Sequence, residues 1–545
     1  MTNTFKKVID RMMWVSVPPT PNTHAAGVQM CSDLRSDISR DPFAYQMVSN
    51  SILNRFNIFT KAWQFAVNPT TTPAVVAGSL CVFAPSFAVV GTLAGGNTTS
   101  SIVLSTALPT AVGTNMLGDR GGDGDYGFKI RIIGNAAGSS GRSQERFIVA
   151  NTSGTTPTIT LDNPLTFTPV TGDRYEILSG DVMMLTGGAT GVGAFKSFEV
   201  ATNTVTSLAT TNLPATVGTD SAALVLDEQY TPYNHNPGEG FIKGSYTYDT
   251  NLVSRNALSS TGIAAGTLTG QAASGDAVVV ANEYRNFQIR IVEDLTNTTA
   301  VGQRRIIASH TAGPSPVYTL GSNWAFTPSV GAKYVIEYPN LIVLRTTANT
   351  TVYTYNYTDA TVNNGTANIL TNAWSTTYFS TAAPLANGAG NIFIPSFGIQ
   401  PDPARNARHS FNYFFRGGNS IVVDLFDIAG AIGGSWAGNI IIDGFPSNHT
   451  TINTGSCGAY SPFGNEGRYA YLNIYGASLV NQIYRFDVKN RVLSPYVSTD
   501  VIQTTTAAIG NRMVSYCALD GTDSYDCILL VTNASTLSQE LIPLV

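Results

Sequence analysis

One stretch of this chain occurs twice, and that repeat limits the possible folds more than any other feature. Phe128-Lys129-Ile130-Arg131-Ile132 returns as Phe287-Gln288-Ile289-Arg290-Ile291, and Arg146-Phe147-Ile148-Val149-Ala150 returns as Arg305-Ile306-Ile307-Ala308. The run from Phe167-Thr168-Pro169 to Arg174-Tyr175-Glu176-Ile177 returns as Phe326-Thr327-Pro328 to Lys333-Tyr334-Val335-Ile336. Ahead of these, Val89-Val90-Gly91-Thr92-Leu93-Ala94-Gly95 matches Ala264-Ala265-Gly266-Thr267-Leu268-Thr269-Gly270. Four blocks in one order indicate two copies of a small domain, assigned to residues 89–181 and 261–345. The second copy is shorter around Pro109–Tyr126, so that segment reads as a loop added to the first.

The remaining sequence is patterned for strands. At 545 residues the chain is too long for one hydrophobic core. Only 12% of residues are charged, too few for the exposed faces of long helices, while 51 glycines suit many short strands joined by tight turns. Seven hairpin-like units recur, each an alternating strand ending in Asp or Asn. They begin at Trp63, Phe198, Tyr246, Tyr353, Val423, Tyr484 and Leu529. Alternation buries one face, and the terminal Asp or Asn bonds its own backbone through the turn.

Radial repetition of such units makes a β-propeller. The expected fold is therefore all-β: a propeller of about six blades over 61–88, 182–260 and 346–545, with seven as the alternative count. The two duplicated β-barrel or β-sandwich domains are inserted in its blade loops. If Cys527–Leu541 and Lys61–Val76 share a blade, the two ends close the circle. Residues 1–60 read as an N-terminal arm, with short helices at Phe5–Met13 and Met47–Phe56.

The search for chemistry gives few candidates. His24, His235, His310, His409 and His449 are scattered singly, with no metal-ligand spacing. Gly187–Gly193 has neither the Lys nor the helix of a phosphate loop and reads as a hairpin linker. Asp119, Asp123 and Asp125 beside Tyr126 are candidate oxygen ligands for calcium, but their spacing fits neither an EF-hand nor a calcium nonapeptide. That stretch reads instead as an exposed interaction loop. Neither a metal nor a cofactor is expected, and no catalytic constellation stands out.

Trp324, Trp374 and Trp436 read as packing residues, with sugar stacking as the alternative. The five cysteines form no CxxC pair and read as buried free thiols, with a Cys517–Cys527 disulfide as the alternative. A net charge of −5 without basic runs argues against tight nucleic-acid binding. No apolar run reaches membrane-spanning length, and Met1–Trp14 lacks a secretory signal, so synthesis in the cytoplasm is expected.

The hairpin units from Trp63 to Leu541, the duplicate inserts and the low charge together resemble the tail nozzle, or hub, proteins of short-tailed, podovirus-like bacteriophages. The resemblance is architectural and rests on no short motif. It implies a non-enzymatic structural protein of the virion tail, a homo-oligomer forming a hexameric ring. Such a ring encloses the DNA-ejection channel, lets DNA pass without tight binding, and docks portal- or adaptor-type and fibre-type tail proteins. Two other readings stay open. One is a receptor-binding tail fibre or capsid decoration protein, using aromatics such as Trp324. The other is a propeller glycosidase, which requires paired carboxylates in a cleft.

Overall fold

The computed structural model describes residues 12–22, 29–34, 41–70, 74–110, 112–118, 127–188, 191–218, 221–226, 258–274, 278, 280–337, 339–346, 350–357, 373–380, 393–395, 400–402, 407–409, 411–416, 422–427, 435–440, 444, 456–460, 469–474, 482–487, 490, 492–495, 512–520, 523–531 and 538–543. Among these the protein is all-β, with two short 3-10 turns and no α-helix. All strand pairings are antiparallel. No helix is long and apolar enough to cross a membrane, which says nothing of crossing with strands.

Most strands fall into six four-stranded units. The first joins β1 (Met12–Val17) to β34 (Arg512–Asp520), β35 (Asp523–Val531) and β36 (Ser538–Pro543), in the order β1-β36-β35-β34. The second is β2 (Gln29–Ser32), β3 (Phe43–Ser49), β4 (Ile52–Asn57) and β5 (Ala62–Val67) in sequence order. The third holds β6 (Leu80–Thr92), β11 (Arg174–Gly188), β12 (Gly191–Glu199) and β13 (Thr204–Leu208). The fourth holds β14 (Ala222–Leu226), β21 (Leu341–Arg345), β22 (Thr351–Asn356) and β23 (Trp374–Ser380). The fifth is β24 (Phe393–Pro395), β27 (Phe411–Phe415), β28 (Val423–Asp427) and β29 (Ser435–Ile440), preceded by the small hairpin β25 (Gln400–Asp402) and β26 (Ala407–His409). The sixth is β30 (Cys457–Tyr460), β31 (Tyr469–Ile474), β32 (Gln482–Asp487) and β33 (Val492–Pro495).

One edge strand from each unit packs beside the next in a single circuit. β2 neighbours β6, β6 neighbours β14, β14 neighbours β24, β24 neighbours β30, β30 neighbours β34, and β34 returns to β2. Apolar side chains fill the seams. Tyr45 stacks on Phe83 between the second and third units. Phe195 meets Tyr355 and Trp374 between the third and fourth, and Phe415 meets Phe486 between the fifth and sixth. Met30, Ala44, Phe56, Val514 and Leu529 close the seam between the first and second. Between the fourth and fifth an ion pair accompanies the apolar packing: Arg345 reaches across to the buried Asp424, which also pairs with Arg416.

The seven hairpin units of the sequence separate cleanly. Those starting at Trp63, Phe198, Tyr353, Val423, Tyr484 and Leu529 fall in six different sheets, and the unit at Tyr246 lies outside the described residues.

Residues 1–60 differ from the expected arm. Met47–Phe56 is strand, turn and strand, not helix, and Met12–Val17 is strand; Phe5–Arg11 lies outside the described residues. In β3, Tyr45 and Met47 face one core while Ala44 faces another. A strand buried on both faces reads as a continuous apolar run, which periodicity cannot separate from a short helix. The closing partner also differs. β36 pairs with β1, Met12 opposite Pro543, whereas Ala62–Val67 belongs to the second sheet.

Each duplicated domain is a set of six strands. In the second, β15 (Leu258–Ala264), β16 (Thr267–Gly270), β17 (Gln288–Glu293), β18 (Arg304–His310), β19 (Val317–Leu320) and β20 (Lys333–Glu337) close on themselves in the order β15-β16-β19-β18-β17-β20. In the first, the outer ends of β6 and β11 join β7 (Ser101–Val103), β8 (Lys129–Ile133), β9 (Ser143–Asn151) and β10 (Thr158–Leu161) in the equivalent order. A single bridge between Leu93 and Leu104 brings β7 back to β6.

This register corrects one block of the repeat. Ile102 sits opposite Ile159, and Leu268 sits opposite Tyr318, the counterpart of Ile159. The block Ala264–Gly270 therefore corresponds to residues around Ser100–Leu104, not to Val89–Gly95, and the loop added to the first copy is correspondingly shorter. Short Gly-Thr-Leu strings are too common in a chain of this composition to fix an alignment.

Candidate functional site

The residues with the most specific geometry lie where the two inserts meet. The repeated arginine explains why each insert holds its shape. Arg146 donates from Nε and Nη2 to the Pro164 carbonyl, at 3.1 and 2.9 Å. Arg305, its counterpart, donates from Nε to the Asn323 carbonyl at 2.7 Å and lies over the Trp324 ring. Gln144 and Gln303 act alike, each accepting backbone N–H groups of the same turn through Oε1. Burial lowers the Arg305 pKa to about 10.

The inserts then pair through equivalent hairpins. The Asp294 N–H donates to the Gly141 carbonyl at 2.8 Å, and Thr298 Oγ1 donates to the Ala136 carbonyl at 3.1 Å. Arg142 pairs with Glu293 at 3.0 Å. The β8–β9 hairpin of one copy thus meets the β17–β18 hairpin of the other through an antiparallel bridge between Arg142 and Glu293. Gly141 has φ +68, and a Cβ there would stand 2.2 Å from the Asp294 carbonyl oxygen, so only glycine fits.

At the centre is a buried charge cluster. Arg304 of the second insert donates from Nη1 and Nη2 to Glu176 Oε1 and Oε2 of the first, at 3.1 and 3.0 Å, with both side chains fully buried. Glu176 Oε2 also accepts from Arg131 Nη1 at 2.8 Å, and Arg131 Nε donates to Glu145 Oε1 at 2.9 Å. Two guanidiniums and two carboxylates balance, which makes their burial tolerable. The arrangement also selects its partner. The counterpart of Arg304 in the first insert is Glu145, and that of Glu176 in the second is Val335. Two first inserts paired this way would bring carboxylates together, and two second inserts would leave Arg304 facing Val335. Only the mixed pair is balanced.

A second acidic site lies at the root of the first insert, where Asp181 and Glu199 are cross-strand neighbours. Glu199 Oε1 accepts from Ser179 Oγ at 2.6 Å and from the Ala201 N–H at 2.9 Å. Burial, and next the charge of Asp181, push the Glu199 carboxyl well above the usual carboxylate range. Both hydrogen bonds hold it in the sheet, a structural role.

The loop residues Asp119, Asp123, Asp125 and Tyr126 lie outside the described residues. The neck of their loop is described: the Phe128 N–H donates to the Leu117 carbonyl at 2.9 Å, so its ends are close. No group of three or more His, Cys, Asp or Glu among the described residues is placed to hold a metal ion. His310 accepts from the Tyr284 N–H and serves the fold of the second insert.

Trp324 and Trp374 are 5% and 2% exposed, so neither is a sugar-stacking platform; Trp436 lies in β29. The Trp324 position packs under Arg305, and its counterpart Leu165 is also buried. Among the described residues, Phe65, Val90, Met116, Val149 and Val492 are exposed at other places, whereas Leu295, Phe326 and Val330 share one corner of the second insert. Asp294 ties that corner together, accepting from the N–H groups of Thr296, Asn297 and Ser329.

Sequence reasoning missed Glu145, Glu176, Arg304 and this corner. For the charged residues the signal was available: Glu145 aligns with Arg304 and Glu176 with Val335, positions where the two copies differ in charge.

No family model matches the sequence, and no curated relative matches it. Among solved structures it is similar to the crystal structure of Saccharomyces cerevisiae Sqt1, with 8% identity over 98% of this chain and 99% of that chain. The TM-score is 0.29, so that likeness carries no argument here.

Proposed function

We propose that this protein is a non-enzymatic structural component of a bacteriophage tail, a nozzle or hub subunit of a hexameric ring around the DNA-ejection channel. In this reading the six sheets are the blades of a β-propeller, and β1 is the outermost strand that completes the last blade. The inserts are two small barrels projecting from neighbouring blades.

The observation that carries the reading is the pairing of the inserts through the Arg304–Glu176–Arg131–Glu145 cluster. It joins two domains into one stiff projection whose polar groups are spent on each other, not turned toward a substrate. A ring subunit needs rigid, heterologous contact surfaces. The apolar corner Leu295–Phe326–Val330 supplies a surface suited to a neighbouring subunit or tail protein. The net charge of −5 suits a channel through which DNA slides without being held.

Imaging the native protein, alone and in a virion, tests the proposal. A six-fold ring beneath a portal is the expected result. A monomer at high concentration, absent from every particle, would overturn it; a trimer at a tail tip or capsid surface would replace it with the receptor-binding or decoration reading.

A further inference from the structure

The seam between the second and third sheets contains two cysteines in contact. Cys31 lies on β2 and Cys81 on β6, the edge strands that face each other across the seam. Their sulfurs are 3.2 Å apart, and the residues are 7% and 6% exposed. A disulfide requires about 2.0 Å, so the sulfurs need approach by only about 1 Å. Cys457 is buried in the sixth sheet, away from this seam. Register places Cys517 opposite Asp526 and Cys527 opposite Tyr516, so those two are not cross-strand partners.

We propose that Cys31 and Cys81 form a redox-modification site, whose oxidation by peroxide yields a disulfide that staples the second sheet to the third. The seam has a specific need for such a bond. β2 also neighbours β34, part of the sheet that β1 and β36 complete from opposite ends of the chain. Peeling of β2 would therefore open two seams together. The bond would close a loop of 50 residues, large enough to restrict the unfolded chain appreciably.

The chemistry balances with hydrogen peroxide. The sulfur of one thiolate attacks a peroxide oxygen and the O–O bond breaks. The departing hydroxide takes up the thiol's proton as water, leaving a sulfenic acid. The second sulfur then attacks the first, the S–O bond breaks, and hydroxide leaves with the second thiol proton as another water. Two thiols lose two electrons and one peroxide gains them. Burial, followed by the contact with Cys81, raises the Cys31 pKa well above that of an ordinary thiol, so the reaction is slow. A compact oxidant is suited to sulfurs this enclosed.

The test uses the full chain purified under reduction and then treated with hydrogen peroxide while folded. Expected are a dithiothreitol-sensitive peptide joining Cys31 to Cys81 and two fewer alkylatable thiols after unfolding. A rise in melting temperature of about 5 °C, reversed by dithiothreitol, should accompany them. Cys81→Ala should abolish the linked peptide and the rise. Recovery of both thiols intact, of sulfinic acids at both positions, or of either cysteine bonded elsewhere would overturn the site. A linked peptide without any gain in melting temperature would overturn the staple. If Cys81→Ala does not fold, the peptide map of the unsubstituted protein decides.

Discussion

The two inserts share one strand order and differ where each meets the rest of the molecule. In the first, β11 runs unbroken for 15 residues from the insert into its sheet. In the second, the equivalent path stops at Glu337 and resumes at Leu341, with Pro339 between. The counterpart of Pro339 is Gly180, where an added Cβ would lie 2.2 Å from the Phe83 ring. Proline removes a ladder donor and breaks the strand, whereas glycine lets the strand pass beneath an aromatic ring. The first insert is thus a continuation of its sheet along one strand, whereas the second is reached through an interrupted strand and joined to its sheet by a shared apolar core.

Their corner loops show the same divergence. Asp173 in the first insert reaches from one turn to the other, accepting from the Ala136 N–H and Ser139 Oγ. The second insert has Ala332 there and places its carboxylate, Asp294, on the opposite loop. The same brace is built from either side. What duplication kept is the internal clamp; what it changed is the surface by which each copy finds a partner.

This comparison can be broken most severely at Glu176. Glu176→Val gives the first insert the residue of the second and leaves Arg304 buried without its carboxylate. A loss of about 3–5 kcal/mol is expected in denaturant unfolding. A loss below 1 kcal/mol would mean that the cluster does not join the inserts.

Gly141→Ala comes next, at about 2–3 kcal/mol, because left-handed backbone strain adds to the clash with Asp294. Gly138→Ala is the control: its φ is +79, but nothing lies within 4 Å, so only about 1 kcal/mol is expected. Equal losses at the two sites would remove the argument for a close approach.

Glu199→Gln keeps an acceptor for Ser179 and Ala201 and tests the root of the first insert. The folded carboxyl holds its proton to higher pH than the unfolded one. Its stabilising contribution is therefore complete below the unfolded value, about pH 4, and is lost as pH rises through the folded value. Unfolding measured from pH 4 to 8 should show the variant gaining on the parent protein as pH rises, by about 1 kcal/mol. Parallel pH profiles would dismiss the carboxyl as the titrating group.

The smallest effect on stability belongs to the exposed corner. Leu295→Ala with Val330→Thr, both near or at the first insert's residues Ala136 and Thr171, should shift unfolding by less than about 0.5 kcal/mol. Sedimentation should nevertheless show weaker self-association, and unchanged assembly would remove this corner from the contact surface.

The sequence by itself determined the β class and the presence of a duplicated segment. These are local properties: alternation, turn residues at strand ends, and repeated blocks such as Phe128–Ile132 and Phe287–Ile291. It also marked six strand units that fall in six different sheets. Tertiary structure alone decided which strands meet. A strand's propensity lies in its own residues, but its register and partner depend on burial along the whole chain. Tyr45 and Met47 became strand because cores lie on both sides of β3, and Met12–Val17 found β36 from the far end of the chain. Glu176 meets Arg304, and Cys31 meets Cys81, because separate segments fold together at those seams. Such meetings leave no local period in the sequence, which is why neither pair was legible there.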